Sequence, residues 1–222
     1  MDISTSVKNR VRRAMGKRDH PHLGILVFGH RDYIGALWDE VGSLQFNFMV
    51  EQGLLPEHVL LDIACGSLRG GVRFIPYLDP GNYLGIEKER RLIRRGLQKE
   101  LSLEVRASKR PEFVASGSFE FTRFSKTPDY AIAQSLFTHL PPAMIMDCLT
   151  KLRAFAPSCR LFATFSESGS SVANPITPCD VIGFHYTQSE MAEFARETGW
   201  GFRYIGDWSH PRGQVMTEFR VD

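Results

Sequence analysis

A short apolar run that breaks into a turn of small residues, and then into a helical pattern, constrains this chain more than anything else in it. His58-Val59-Leu60-Leu61-Asp62-Ile63 is almost continuously hydrophobic, and Ala64-Cys65-Gly66-Ser67-Leu68-Arg69-Gly70-Gly71 follows directly. A run that short, without alternation, suits a strand buried on both faces, as in a parallel sheet. Val72, Ile75 and Leu78 then recur at helical spacing until Asp79-Pro80-Gly81 stops them. The rhythm repeats. Tyr83-Leu84-Gly85-Ile86 reads as a second strand ending at Glu87, with a helix predicted over 88–104. Tyr130–Ala133 and Leu161–Phe165 read as further strands, separated by a helix that Pro141 and Pro142 open. Thr187 and Glu190 form a capping-box pattern for a helix stopped at Gly199, and two last strands near 202–205 and 215–221 form a hairpin-like pair. Such alternation is the mark of an open, mostly parallel α/β sheet.

With 222 residues the chain can build one good-sized core. Its 27 basic and 25 acidic residues leave a net charge of +2, too balanced for a nucleic-acid binder that works by neutralising phosphates. No run approaches the roughly 18 apolar residues of a membrane span, and the charged start lacks the apolar stretch of a secretory signal. Cys65, Cys148, Cys159 and Cys179 show no metal-binding spacing, so no metal is expected. They read as buried thiols in a reducing compartment, which makes the cytoplasm the simplest address. Residues 1–18 carry six basic side chains; they read as a solvated terminal helix or as an arm drawn to an anionic substrate or surface. Ile34, Leu37, Val41, Leu44 and Phe48 fall at helical spacing before Gly53, which divides the chain into an N-terminal helical lid or arm (1–53) and a main domain (54–222).

The turn after the first strand is built for close approach by a ligand, because small residues expose the backbone and a helix start offers free N–H groups. Leu68 stands where the dinucleotide fingerprint needs the glycine that makes room for a pyrophosphate, which argues against a nicotinamide or flavin nucleotide. Glu87 ends the second strand about 20 residues on, where an acid in nucleotide-binding units accepts both ribose hydroxyls. The aperiodic stretch 166–186, rich in Ser, Gly, Asn and Pro, follows a strand's carboxyl end and reads as a lid or binding loop.

These residues resemble the class I S-adenosylmethionine-dependent methyltransferases. Leu60–Gly66 is similar to the family's first motif, with Ala64 in place of a glycine and Leu68 in place of its third glycine; Glu87 matches its ribose-binding acid. Asp129–Leu140 resembles the fourth motif, and Leu152–Phe165 the segment after it, with Pro157-Ser158-Cys159 replacing the common Pro-Gly-Gly turn. The resemblance spans roughly residues 33–221. It implies a doubly wound, seven-stranded Rossmann-like sheet with an antiparallel last strand, and S-adenosyl-L-methionine as cofactor. It implies that Asp62, Ala64, Cys65, Gly66 and Arg69 cradle that cofactor. Glu87 and Lys88 would lie at its ribose, Ser118 and Phe119 at its adenine, and Gln134 and Ser135 beside its sulfonium.

Methyl transfer to oxygen also calls for a base, and histidine is the natural one near neutral pH. His139 is the first candidate; His185 and Tyr186, at the end of the long loop, are the others. The cluster His210-Pro211-Arg212-Gly213-Gln214 reads as a satisfied turn, and His20, His22 and His30 as surface histidines. Tyr33 and Trp38 are candidates to close over the cofactor, with core packing the equal alternative for Trp38. The expected reaction is methylation of oxygen or nitrogen on a small polar metabolite, sugar or glycolipid, with the oligomeric state left open. The rival readings are a non-catalytic S-adenosylmethionine-binding module and a nicotinamide-dependent reductase.

Overall fold

A computed structural model describes residues 21–179 and 183–221, so the basic segment 1–18 lies outside the described residues. Its sheet orders the strands β3-β2-β1-β4-β5-β8-β7, with β1 Leu60–Ile63, β2 Tyr83–Glu87, β3 Glu112–Ala115, β4 Tyr130–Ala133, β5 Arg160–Glu167, β7 Gly201–Asp207 and β8 Val215–Arg220. β1 to β5 are parallel, while β8 runs antiparallel between β5 and β7. A two-residue β6, His185–Tyr186, adds an eighth strand by pairing with Ser166 and Glu167. Asn174 builds it: its side chain accepts from the His185 N–H and donates to the His185 carbonyl.

Alternation along each central strand supplies two cores. Leu61 and Ile63 of β1, with Ala131, Ala133, Leu161 and Phe165, face one side and pack with Leu149 and Leu152 of helix Pro142–Phe155. Leu60, Ile132, Phe162 and Met216 face the other side, where Phe48, Met49, Phe74 and Ile93 pack from helices Trp38–Glu51, Gly71–Tyr77 and Arg90–Glu100. Both faces are covered, so the strands need no polar side. The helix expected over 88–104 is two helices, Arg90–Glu100 and Leu103–Lys109; Leu101 is extended and the Ser102 side chain caps the second by accepting from the Val105 N–H. Among the described residues no helix is long and apolar enough to cross a membrane.

Helix Arg90–Glu100 fixes the turn after β1 through one glycine. A Cβ on Gly96 would sit 2.5 Å from the Ser67 carbonyl oxygen and 2.7 Å from Leu68 Cγ. Alanine normally favours a helix over glycine by about 1 kcal/mol. Gly96→Ala is nevertheless expected to lower stability by about 1–3 kcal/mol, because the intruded atoms include backbone. Urea unfolding measures this, and a variant as stable as its parent would remove the close approach.

β1, β2 and β3 are laid down outward in one direction, and β4 then starts on the opposite side of β1. The carboxyl ends of β1 and β4 are therefore a topological switch point, where open sheets of this class leave a crevice.

Candidate functional site

That crevice is a cavity of about 940 Å³. Its floor is the turn after β1. Ala64 (φ 61°), Gly66 (φ 57°) and Leu68 (φ 73°) all take left-handed conformations, as does Ser135 (φ 57°) after β4. For residues with a Cβ that geometry costs on the order of 1–3 kcal/mol each, and it recurs where function requires it. The backbone thus keeps the glycine geometry without the glycines. Leu68 turns its side chain into the second core, fully buried, away from the cavity.

Glu87 ends β2, 6% exposed, at the cavity wall. Its Oε2 accepts from the Gly66 N–H (3.1 Å) and its Oε1 from the Glu89 N–H (2.9 Å), so the carboxylate and the turn fix each other. Asp62 also lines the cavity; the Tyr83 hydroxyl donates to its Oδ2 at 2.7 Å. Burial pushes the Asp62 carboxyl up to about 6, against the pull of Tyr83 and Arg69 and with the help of Glu87.

Arg69 is buried beside them. Its Nη1 donates to the Ala36 carbonyl (3.0 Å) and its Nη2 to Gln134 Oε1 (2.6 Å), while its Nε has no hydrogen-bond partner among the described residues. Burial, and then Arg212, lower its pKa to about 10. Gln134 joins it to a polar cluster at the carboxyl end of β4. The Gln134 amide donates to Ser135 Oγ (2.6 Å) and His210 Nε2 (3.1 Å), and the Ser135 and Thr164 hydroxyls both donate to Gln214 Oε1 (2.8 and 2.9 Å). His210 is buried and stacked on Trp208; burial, then Arg69 and Arg212, lower its pKa to about 4, so it is neutral at pH 7.

The N-terminal helices cover this floor. Arg212 donates from the β7–β8 loop to the Gly35 carbonyl, Ser67 Oγ donates to the His30 carbonyl at 3.1 Å, and Tyr33, Ile34 and Gly35 line the cavity. His30 and Arg31 both pair with Glu100, at 2.5 and 2.6 Å, so His30 is a half-buried clamp and not the surface histidine expected. Arg31 lies over the Trp38 ring; Trp38 is buried and does not line the cavity.

The cavity brings together Asp62, Ala64, Cys65, Gly66, Arg69, Glu87, Lys88, Phe119, Gln134, Ser135 and His139, of the residues the sequence proposed. Ser118 is exposed and does not line it; Ser116 and Gly117 do, beside Phe119. His185 and Tyr186 are also outside it: His185 is exposed on β6, and the buried Tyr186 hydroxyl donates to the Leu140 carbonyl at 2.6 Å. His139 Nδ1 faces the Cys179 carbonyl at 3.0 Å. A carbonyl only accepts, so Nδ1 carries the proton and Nε2 the lone pair in the neutral ring. Sequence reasoning passed over Gln45, Arg212 and Gln214, which line the cavity. The signal available was the run His210–Gln214, three hydrogen-bonding side chains within five residues.

Solved structures share this architecture. Magnesium protoporphyrin IX methyltransferase from Synechocystis PCC 6803, solved with bound SAM, superposes with a TM-score of 0.63 at 14% identity, over 100% of this chain and 98% of that one. The pyocyanin biosynthetic protein PhzM gives 0.67 at 16% identity, over 95% of this chain and 64% of that one. The glycopeptide N-methyltransferase MtfA, complexed with SAM, gives 0.60 at 12% identity, over 82% and 94%. This is the class I methyltransferase fold. The mostly parallel sheet with antiparallel C-terminal strands belongs to it. No protein-family model matches the chain, and no curated protein matches it in sequence.

Proposed function

We propose that the chain is an S-adenosylmethionine-dependent methyltransferase acting on oxygen or nitrogen of a small polar acceptor: a metabolite, sugar or glycolipid. Glu87 carries the reading. A buried carboxylate at the carboxyl end of β2, held against a left-handed turn, is the place and chemistry for two ribose hydroxyls, and it repels a phosphorylated ribose. The Synechocystis enzyme and MtfA noted above hold SAM, and a second structure of the Synechocystis enzyme holds SAH.

The residues present fit that cofactor. Asp62 suits an ammonium group, and the buried Arg69, with one N–H unpartnered, suits a carboxylate. Ala64, Cys65 and Gly66 give backbone contact, Glu87 and Lys88 flank the ribose, Phe119 offers a face to the base, and Gln134 and Ser135 lie at the sulfonium end. When bound, the cofactor supplies a methyl group already activated on sulfur. What remains for the chain is to align the acceptor, a contribution that reaches roughly 7–11 kcal/mol, and to take its proton. His139 Nε2 is the acceptor for that proton. Drug-sized ligands occupy roughly 300–1,000 Å³, so 940 Å³ leaves room for donor and acceptor together. Of the expected N-terminal lid or arm 1–53, the described residues 21–53 act as the cover over the cofactor domain 54–222 and exclude water. Four buried free cysteines suit a reducing cytoplasm.

Calorimetry with S-adenosylmethionine, followed by labelled methyl transfer into a metabolite extract, tests the reading. Absence of donor binding sinks it, and binding without transfer leaves a non-catalytic module. His139→Gln is expected to lower kcat about 100-fold or more with donor affinity kept. Near-normal turnover would remove His139 as base.

A further inference from the structure

Charge inside the cavity is divided by position. The acids that line it, Asp62, Glu87 and Glu89, belong to the β1 and β2 ends. Two of them are already engaged, Asp62 by Tyr83 and Glu87 by backbone N–H groups. The rest of the lining, the wall left for an acceptor, includes Leu136, Leu140, Met144 and Pro178 with His139 and Arg212, and no acid belongs to it among the described residues. The polar cluster beneath it is closed on itself, since Gln134, Ser135, Thr164 and Gln214 bond to one another and to Arg69 and His210.

Arg212 is therefore the charged group left facing that wall. It is exposed, and no carboxylate of the described residues lies within ion-pair distance of it. One of its five N–H donors reaches the Gly35 carbonyl, which steadies the fork without neutralising it. Arg69 stands behind it with no acid at ion-pair distance among the described residues, and burial first, then the two guanidiniums, hold His210 well below its usual pKa. The wall thus combines apolar area for a carbon skeleton with an uncompensated cation in the fork geometry that matches carboxylate and phosphate.

We propose that the methyl acceptor carries an anionic group, a carboxylate or a phosphate, gripped by Arg212. This rests on the methyltransferase reading and narrows it: neutral sugars and amines are poor acceptors, and acidic sugars, sugar phosphates and organic acids are good ones.

The test separates the extract before the reaction. A nuclease- and protease-treated cell extract is divided on an anion exchanger into flow-through and retained pools, and each is offered to the full chain with labelled S-adenosylmethionine. Label is expected in the retained pool. Phosphatase treatment of that pool abolishes acceptance if the anion is a phosphate; carbodiimide amidation abolishes it if the anion is a carboxylate. Acceptance that survives both treatments overturns the named chemistry. Arg212→Gln is expected to raise the half-saturating amount of the retained pool about tenfold or more, the loss of a charge-assisted pair, and Arg212→Lys to recover part of it. Donor affinity by calorimetry stays within about threefold, because the Gly35 latch is a single hydrogen bond from an exposed side chain, screened by solvent. Acceptors confined to the flow-through overturn the proposal and leave the methyltransferase reading standing. So does an Arg212→Gln enzyme with unchanged saturation, or one whose donor affinity falls in step with acceptor use, which would make Arg212 a latch alone. No label in either pool from a donor-binding chain removes the methyltransferase reading, and this proposal with it.

Discussion

Glu87→Ala is expected to weaken S-adenosylmethionine binding about 100-fold or more. Each hydrogen bond to a charged group contributes about 1.5–3 kcal/mol, and a ribose offers two hydroxyls to this carboxylate. The same change strands the Gly66 and Glu89 N–H groups, which now donate to Oε2 and Oε1 at 3.1 and 2.9 Å. The turn that forms the cavity floor therefore loses its anchor together with its ligand contact. Isothermal calorimetry reads the affinity, and the demethylated product should show the same loss because it keeps the ribose. Thermal denaturation of the ligand-free variant separates the two contributions: a small drop in Tm with a large drop in affinity assigns Glu87 to the ligand. Affinity within about threefold of the parent would detach Glu87 from the cofactor.

The second large effect is a pair of opposed pH dependences of stability, hidden in the parent and exposed by single substitutions. Asp62 has a folded pKa of about 6, raised from 3.8 chiefly by burial. The folded state then holds a proton that the unfolded chain has released, so this contribution is full below 3.8 and is lost as pH rises through 6. His210 is the mirror case, lowered from 6.5 to about 4, again chiefly by burial. Its contribution is full above 6.5 and is lost as pH falls through 4. Each shift corresponds to about 3 kcal/mol, and over pH 4–6 the two slopes cancel. Chemical denaturation across pH 4–7 should therefore show the Asp62→Asn curve rising by about 3 kcal/mol relative to the parent, and the His210→Gln curve falling by a similar amount. Two variants that run parallel to the parent would refute both shifts. At neutral pH Asp62→Asn should be the more stable ligand-free protein and the weaker binder of the donor, because the buried charge that destabilises the fold is the partner proposed for the ammonium group.

Much of the fold was legible because its central strands are hydrophobic on both faces. β1, β2, β4 and β5 are short apolar runs ended by turn residues, and their shortness decides for strand over buried helix. β3 was not drawn, since Glu112–Ala115 is a four-residue edge strand with one fully buried position, too little to register as a run. β6 was missed because the Asn174 side chain makes it, and no periodicity records that. In the site, Glu87 and the turn were legible from position in the motif. Leu68 was read as a departure because a letter stood in for a dihedral; the backbone adopts the left-handed angle and buries the leucine on the far side. In sequence the His210–Gln214 run reads as a self-satisfied turn, and half of that holds: His210 and Gln214 bond inward. Arg212 does not, and its contact with Gly35 joins residues 177 positions apart, a distance over which sequence patterns carry no signal.

The cover over the cavity is fastened at its crossing point by two guanidiniums that grasp main-chain carbonyls, Arg69 on Ala36 and Arg212 on Gly35. Every amino acid offers the same carbonyl, so apart from Gly35, where a positive φ and the Arg212 guanidinium leave little room for a Cβ, the fastening does not depend on which side chains that strip presents. Residues facing an incoming molecule can be exchanged there without loosening the seal, much as a window pane is changed within its frame. A scaffold hinged this way can adopt new acceptors by drift in a few exposed positions while its grip on the shared cofactor stays untouched.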